Sequence, residues 1–299
     1  MTLINHIIPF QLGDNKVRGN IVRLQSVVSE IIKRHEYPSN VESIFADTLT
    51  ITACLGSRMK HDGVFTIQAK GTGDVHTLFS DITSDGLLRG YVGLNTGFKN
   101  TESNLNSLMG SGHISFTLDQ GKYTKRYQGI VSLEEPSMSK TTELYFNNSE
   151  QLETKFLTFN FYDLEKSNRK NLFSAGLIML QRMPDKNSFD EEINEEFWGN
   201  SLNFLSTLGK EEFLSTNITS EEILYRLFNE LEIAVYEKII IKDQCRCSEE
   251  KIKLAIKNLN KKELEEIADQ NGNLKIGKWN TVKKLNKWKN RTLKNHMVP

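Results

Sequence analysis

Between Gly63 and Leu133 the apolar residues fall on every second position, as in Phe65, Ile67 and Ala69 and again in Ile114, Phe116 and Leu118. Successive side chains of a strand point to opposite faces, so this alternation commits the stretch to β-sheet with one buried face. The tripeptides "GTG", "SDG", "GSG" and "DQG", starting at residues 71, 84, 110 and 119, interrupt it with tight turns. Strands joined this closely run antiparallel.

On either side the period is different. "NIVRLQSVVSEIIKRHEYP" places Ile21, Leu24, Val28 and Ile31 or Ile32 on one helical face and stops at Pro38. A second helix follows the capping candidates Ser39 and Asn40, with Val41, Ile44, Phe45, Leu49 and Leu55 along it. Cys54 falls within that pattern and reads as a small buried hydrophobe rather than a reactive thiol. "SAGLIMLQRMP" at 174 to 184 reads as a fully buried strand ended by Pro184. Beyond it Phe189, Ile193, Phe197, Leu205 and Leu208 recur near a spacing of four. "TSEEILYRLFNEL" opens with a capping box from Thr219 to Glu222. After Ser248 a helical hairpin is expected, with Asn260 and Glu263 as a further capping box. From Gly277 onward no period is sustained.

A formal charge of zero conceals two opposite blocks. Residues 185 to 232 carry twelve acids against three bases, a net of −9, whereas from Gln270 to the end there are eight bases and no acid. The acidic block is a set of amphipathic helices crowded with like charge, an arrangement of only modest stability that could come loose. The basic tail suits either a solvated end or an acidic partner. No apolar run approaches the roughly 18 residues of a membrane span. The start of the chain lacks the apolar core of a secretion signal. With three cysteines in 299 residues there is no disulfide framework, so the chain reads as cytosolic and as folding without staples.

Most local motifs reduce to turns. "GTGDVH" at 71 to 76 lacks the third glycine of a dinucleotide fingerprint and reads as a hairpin turn, and no phosphate-cradling GxxxxGK[ST] exists. "GSGH" at 110 to 113 is not a nucleophile elbow, and His61 with Asp62 forms no metal-binding cluster. The sequon "NNS" at 147 to 149 matters only outside the cytosol. Trp279 and Trp288 among lysines would permit base stacking, without any nucleic-acid motif to support it. The strongest chemical feature is "CRC", Cys245 and Cys247. One residue apart, two thiolates can share a metal ion, form a tight disulfide or do neither, and spacing alone does not choose.

Several stretches together resemble the heat shock protein 33 family, redox-regulated holdase chaperones also called 33 kDa chaperonins. They are "VRGNIVRL" (17 to 24), "HEYPSNV" (35 to 41), "MKHDGVFTIQAKGTGDVHTLFSDITSDGLLRGYV" (59 to 92), "NNSEQLETKF" (147 to 156), "AGLIMLQRMP" (175 to 184) and "CRCSEEK" (245 to 251). The resemblance runs from about residue 8 to residue 276. It implies an α+β chain: an N-terminal α/β domain with mainly antiparallel sheets over 1–184, an acidic helical linker over 185–241, and a small zinc-type redox module over 242–299. It further implies four zinc-binding cysteines, as CxC then CxxC. Their oxidation to disulfides releases the metal, unfolds the linker and frees apolar surface for unfolding client proteins, commonly as a homodimer and without ATP.

The chain departs from that pattern at the second pair. The expected positions hold Lys278 and Thr281, neither a normal zinc ligand, and His296 is the remaining substitute at an unmatched position. Cys245 and Cys247 are therefore read as the surviving half of a zinc and redox switch, with zinc binding weakened and the chaperone impaired in regulation or constitutive. The similarity stops where the acid-free tail starts, which fits a frame change after Ile276. On this reading the chain is a binding protein rather than an enzyme. The alternatives are a nucleic-acid-binding protein using the basic tail and a decayed family member.

Overall fold

A computed structural model describes residues 4–57, 59, 62–121, 124–163, 172–184 and 191–244. Contacts divide the chain into one compact unit through Gln244 and a second from Cys245 onward. The first unit is α+β, as the sequence predicts. Its elements are β1 (Asn5–Leu12), β2 (Val17–Leu24), α1 (Ser26–Ile32), α2 (Ser39–Gly56), β3 (Val64–Gly71), β4 (Val75–Thr83) and β5 (Leu87–Leu94). They continue as α3 (Leu105–Met109), β6 (Gly112–Asp119), β7 (Tyr127–Ser132), α4 (Met138–Tyr145), β8 (Thr154–Asp163) and β9 (Leu172–Arg182). Last come α5 (Glu191–Ser206), α6 (Lys210–Leu214), α7 (Ser220–Phe228), β10 (Ile233–Val235), β11 (Ile239–Ile240) and β12 (Lys242–Asp243).

Two six-stranded sheets result. The first runs β10-β1-β2-β9-β8, with β11 also on β1, and all its pairings are antiparallel. The second runs β12-β5-β4-β3-β6-β7 and is antiparallel except where β12 lies parallel to β5. The alternating stretch 63 to 133 builds this second sheet, and the "GTG" motif is the turn of the β3–β4 hairpin.

Helix α2 fills the space between the sheets, packing on both and on α4. It begins after Pro38, with no side-chain cap from Ser39; Asn40 instead donates its amide to the carbonyls of Asn100 and Glu102, tying that loop down. Three threonines are buried along it. Their hydroxyls donate one turn back, Thr48 to Ile44 O, Thr50 to Ala46 O and Thr52 to Thr48 O, so none of the three is left unpaired. Cys54 is fully buried beside Met179, as expected of a core residue.

The stretch read as one helix from Ile21 to Ile32 is instead a strand to Leu24 followed by a short helix from Ser26. The reason is burial on two sides. Within β2, Val22 and Leu24 face α2 while Val17 and Ile21 face the opposite core. A strand covered on both faces loses its alternation and imitates a helical stripe. β9 is covered in the same way, Leu177 and Met179 inward and Ile178 and Leu180 outward, which explains the uninterrupted "GLIML".

Candidate functional site

The outward face of the first sheet carries Ile8, Phe10 and Leu12 from β1, Val17 and Ile21 from β2, and Ile178 and Leu180 from β9. Exposed, it would be a large apolar patch of the kind soluble proteins keep covered. The acidic helices cover it. Trp198, Leu205, Leu208, Phe213, Ile223, Leu224, Leu227 and Phe228 are buried against it. Along α5 the predicted Phe197 and Leu205 do face inward, but Ile193 is 55% exposed and Trp198 is buried as well. Phe189 lies outside the described residues. In α7 the predicted capping box is present, Thr219 Oγ1 accepting from Glu222 N at 3.1 Å and Glu222 Oε2 from Thr219 N at 2.7 Å.

Two rings anchor the layer. Phe213 stacks on Phe159 of β8 with centroids 4.6 Å apart and sits over Gly176, where any β-carbon would lie 2.7 Å from its ring. Phe228 stacks on Phe10 at 5.7 Å. A polar anchor lies between them. Arg23 projects outward from β2, 4% exposed, and donates to the carbonyls of Ser215 and Ile218 in the α6–α7 connection, the latter at 2.7 Å. Its guanidinium lies 5.8 Å from the Phe213 ring centre. Burial pulls its pKa below the usual arginine value, opposed by Glu221.

His6 is paired directly opposite Arg23 across β1 and β2. Its Nε2 lies 2.8 Å from the Ser220 hydroxyl at the start of α7. Burial lowers the His6 pKa, with Arg23 and Lys238 acting the same way and Glu221 against. The neutral ring is therefore the form that fits under the helices. Neither His6 nor Arg23 carries a recognisable motif. The available signal was a polar side chain at each of these points beside apolar neighbours, together with Arg23 lying inside "VRGNIVRL".

At the surface the layer has less to hold it. Arg182 bridges Glu153 at 3.2 Å and Glu195 at 2.5 Å, and Arg226 meets Glu212 at 3.1 Å. Such exposed pairs contribute at most about 1 kcal/mol each. Buried indole Trp198 Nε1 has no hydrogen-bond partner among the described residues, a further cost of holding α5 down.

After α7 the chain returns through β10 and β11 to the edge of the first sheet and crosses to the second as β12. There Lys242 N donates to Gly86 O, Gln244 N to Leu88 O, and Asp243 pairs with Arg34. Cys245 and Cys247 follow this stitch at once and lie outside the described residues, as do Lys278, Thr281 and His296. The third cysteine does not complete their site: burial pushes the Cys54 thiol up to about 12, and its sulfur packs on Met179 in the core. No cluster of three or more His, Cys, Asp or Glu side chains suited to a metal occurs among the described residues. With two thiolates and no second pair in the sequence, the donor set does not fit a closed four-ligand zinc centre.

Comparison with known proteins agrees with this architecture along nearly the whole chain. The family model described as "Hsp33 protein" matches residues 5–277. A 33 kDa chaperonin of Caulobacter vibrioides is 29% identical over 276 residues, 89% of either chain. One of Shewanella loihica is 33% identical over 267 residues, covering 89% of this chain and 87% of the relative. In structure, the 33 kDa chaperonin (heat shock protein 33 homolog) of Thermotoga maritima superimposes with a TM-score of 0.71 at 25% identity, over 88% of each chain. The chain belongs to the Hsp33 family.

Proposed function

We propose that this chain, a chaperone by its family, is an ATP-independent holdase of the cytosol, and that its client surface is the apolar face of the first sheet now covered by α5, α6 and α7. The observation that carries this reading is the layer itself. Its outer side is crowded with carboxylates, while its inner side rests on Phe213, Phe228 and the buried Arg23 and His6 contacts. Against release stand these contacts and the burial of Trp198, Leu205, Ile223 and Leu224.

The proposed control is incomplete. Peroxide oxidises the two thiols of Cys245 and Cys247 to one disulfide, forming the S–S bond as the peroxide O–O bond breaks and two waters leave. That ring is small and strained, hence easily reduced again. A four-thiolate zinc module would supply on the order of 10 kcal/mol of apparent folding free energy. Two thiolates do not replace it, so the reduced chain has a weak latch and holds clients without oxidation. Dimerisation belongs to this active form. Nucleic-acid binding through the tail is the lesser reading, since the sequence of the tail carries no recognisable nucleic-acid motif.

The test is ATP-free suppression of aggregation of a heat-unfolding enzyme, followed by light scattering. No suppression at a several-fold excess of the chain, reduced or oxidised, would remove the holdase reading. One tightly bound zinc per reduced chain by metal analysis would remove the weak-latch reading alone.

A further inference from the structure

The first sheet ends at β8, and among the described residues only half of that edge is guarded. Phe156 N donates to the Glu143 carboxylate at 3.0 Å, so the backbone groups of Phe156 point away from β9 toward α4. Glu143 is itself held by Lys140 at 2.9 Å and Lys155 at 3.2 Å. Backbone direction alternates along a strand, so the N–H and C=O of Thr158 and Asn160 also point away from β9. Neither has a partner on that side among the described residues.

This half also lacks the usual protections of an edge. The sequence from Thr158 to Phe161, "TFNF", carries no charge and no proline, and its register with β9 is continuous, without a bulge. It is held rigid from both sides. Asn160 donates its amide to Ser43 Oγ at 3.0 Å and Asp47 Oδ1 at 3.1 Å, while Phe159 stacks on Phe213. Phe161 is 45% exposed, with the Lys210 ammonium 5.5 Å from its ring centre.

We propose that the open half of β8 docks an extended segment of an unfolded client as an added strand. The inference rests on the chaperone reading above and deepens it. Backbone hydrogen bonding is blind to sequence, which is what a holdase needs, and Phe159 and Phe161 favour clients with apolar residues at alternate positions. A second copy of the chain fits less well. In an antiparallel pairing the α4 that flanks Phe156 would block the C-terminal half of the copy's β8, whereas a flexible client lifts away beyond Thr158.

The test uses the full chain and a fluorescent peptide of about ten residues alternating valine and threonine, beside the same peptide N-methylated on every second residue. The plain peptide should bind about tenfold more tightly, which is ~1.4 kcal/mol. T158P removes an N–H that the sheet does not use and should weaken the plain peptide by a similar factor. I130P on β7, an end strand of the second sheet, should not. Equal binding of the two peptides overturns the proposal, as does a T158P effect on oligomer mass with peptide affinity unchanged. If T158P fails to fold, slowed amide exchange at Thr158 and Asn160 on adding the plain peptide decides in its place. Failure of the holdase assay with peptide binding intact would sink the chaperone mechanism and leave the edge site standing.

Discussion

Phe213→Ala should open the helical layer without unfolding the sheets. The ring is fully buried, stacked on Phe159 and seated over Gly176 beside Arg23. Burial of about 200 Å² at about 25 cal/mol per Å² contributes ~5 kcal/mol at most. Removing such a ring from a core typically costs about 3–5 kcal/mol once the cavity is included. Because α6 is only five residues long and adds no other fully buried side chain, it has little else to keep it in place. We take ~3 kcal/mol as the loss, which multiplies the open population of the layer about a hundredfold. Amide exchange by mass spectrometry should show that loss of protection across residues 210–231, with much smaller changes in α2 and in β3, β4 and β6. The same variant should suppress client aggregation at lower concentration. Equal loss of protection throughout 4–244 would refute the reasoning, because the layer would then not open as a unit of its own.

Other expectations follow from the buried ionisable groups and the cysteines. His6 has a folded pKa below its unfolded value, so its contribution is complete above about pH 6.5 and is lost as pH falls toward the folded value. Exchange of α7 amides should therefore accelerate on acidification through that window, and His6→Gln should flatten the response. Burial raises the Asp47 carboxyl to about 6, opposed by Asn160, so the penalty for ionising it grows as pH rises from about 4 to 6. Asp47→Asn should raise the melting temperature at pH 7 and leave it nearly unchanged at pH 4. In the folded, reduced chain iodoacetamide should spare Cys54, whose thiol is buried and pushed up to about 12, and label Cys245 and Cys247; peptide mapping decides.

How far the sequence revealed this molecule depended on how each segment is buried. The second sheet was legible because one of its faces is less covered, so Ile67, Ala69 and Ile114 stand out by alternation. The capping box at Thr219 was legible because it is local. β2 was not, since its apolar residues serve two cores at once. The contacts of Arg23 with the α6–α7 connection and of His6 with the start of α7 were also hidden, because they join residues some two hundred positions apart. No local pattern records such a contact. The cysteine pair gave the opposite case: Cys245 and Cys247 were conspicuous in sequence, and the missing second pair was legible from spacing once the family stretches had set the register.

The central claim is that a chain keeping Cys245 and Cys247 but lacking the second pair has a latch that no longer needs oxidation to open. Light scattering from a heat-unfolding client, with the chain fully reduced and supplied with zinc beside a peroxide-treated sample, tests it most directly. The account predicts comparable suppression by both samples. Suppression only after peroxide would contradict it, and would mean that these two cysteines still govern a closed resting state.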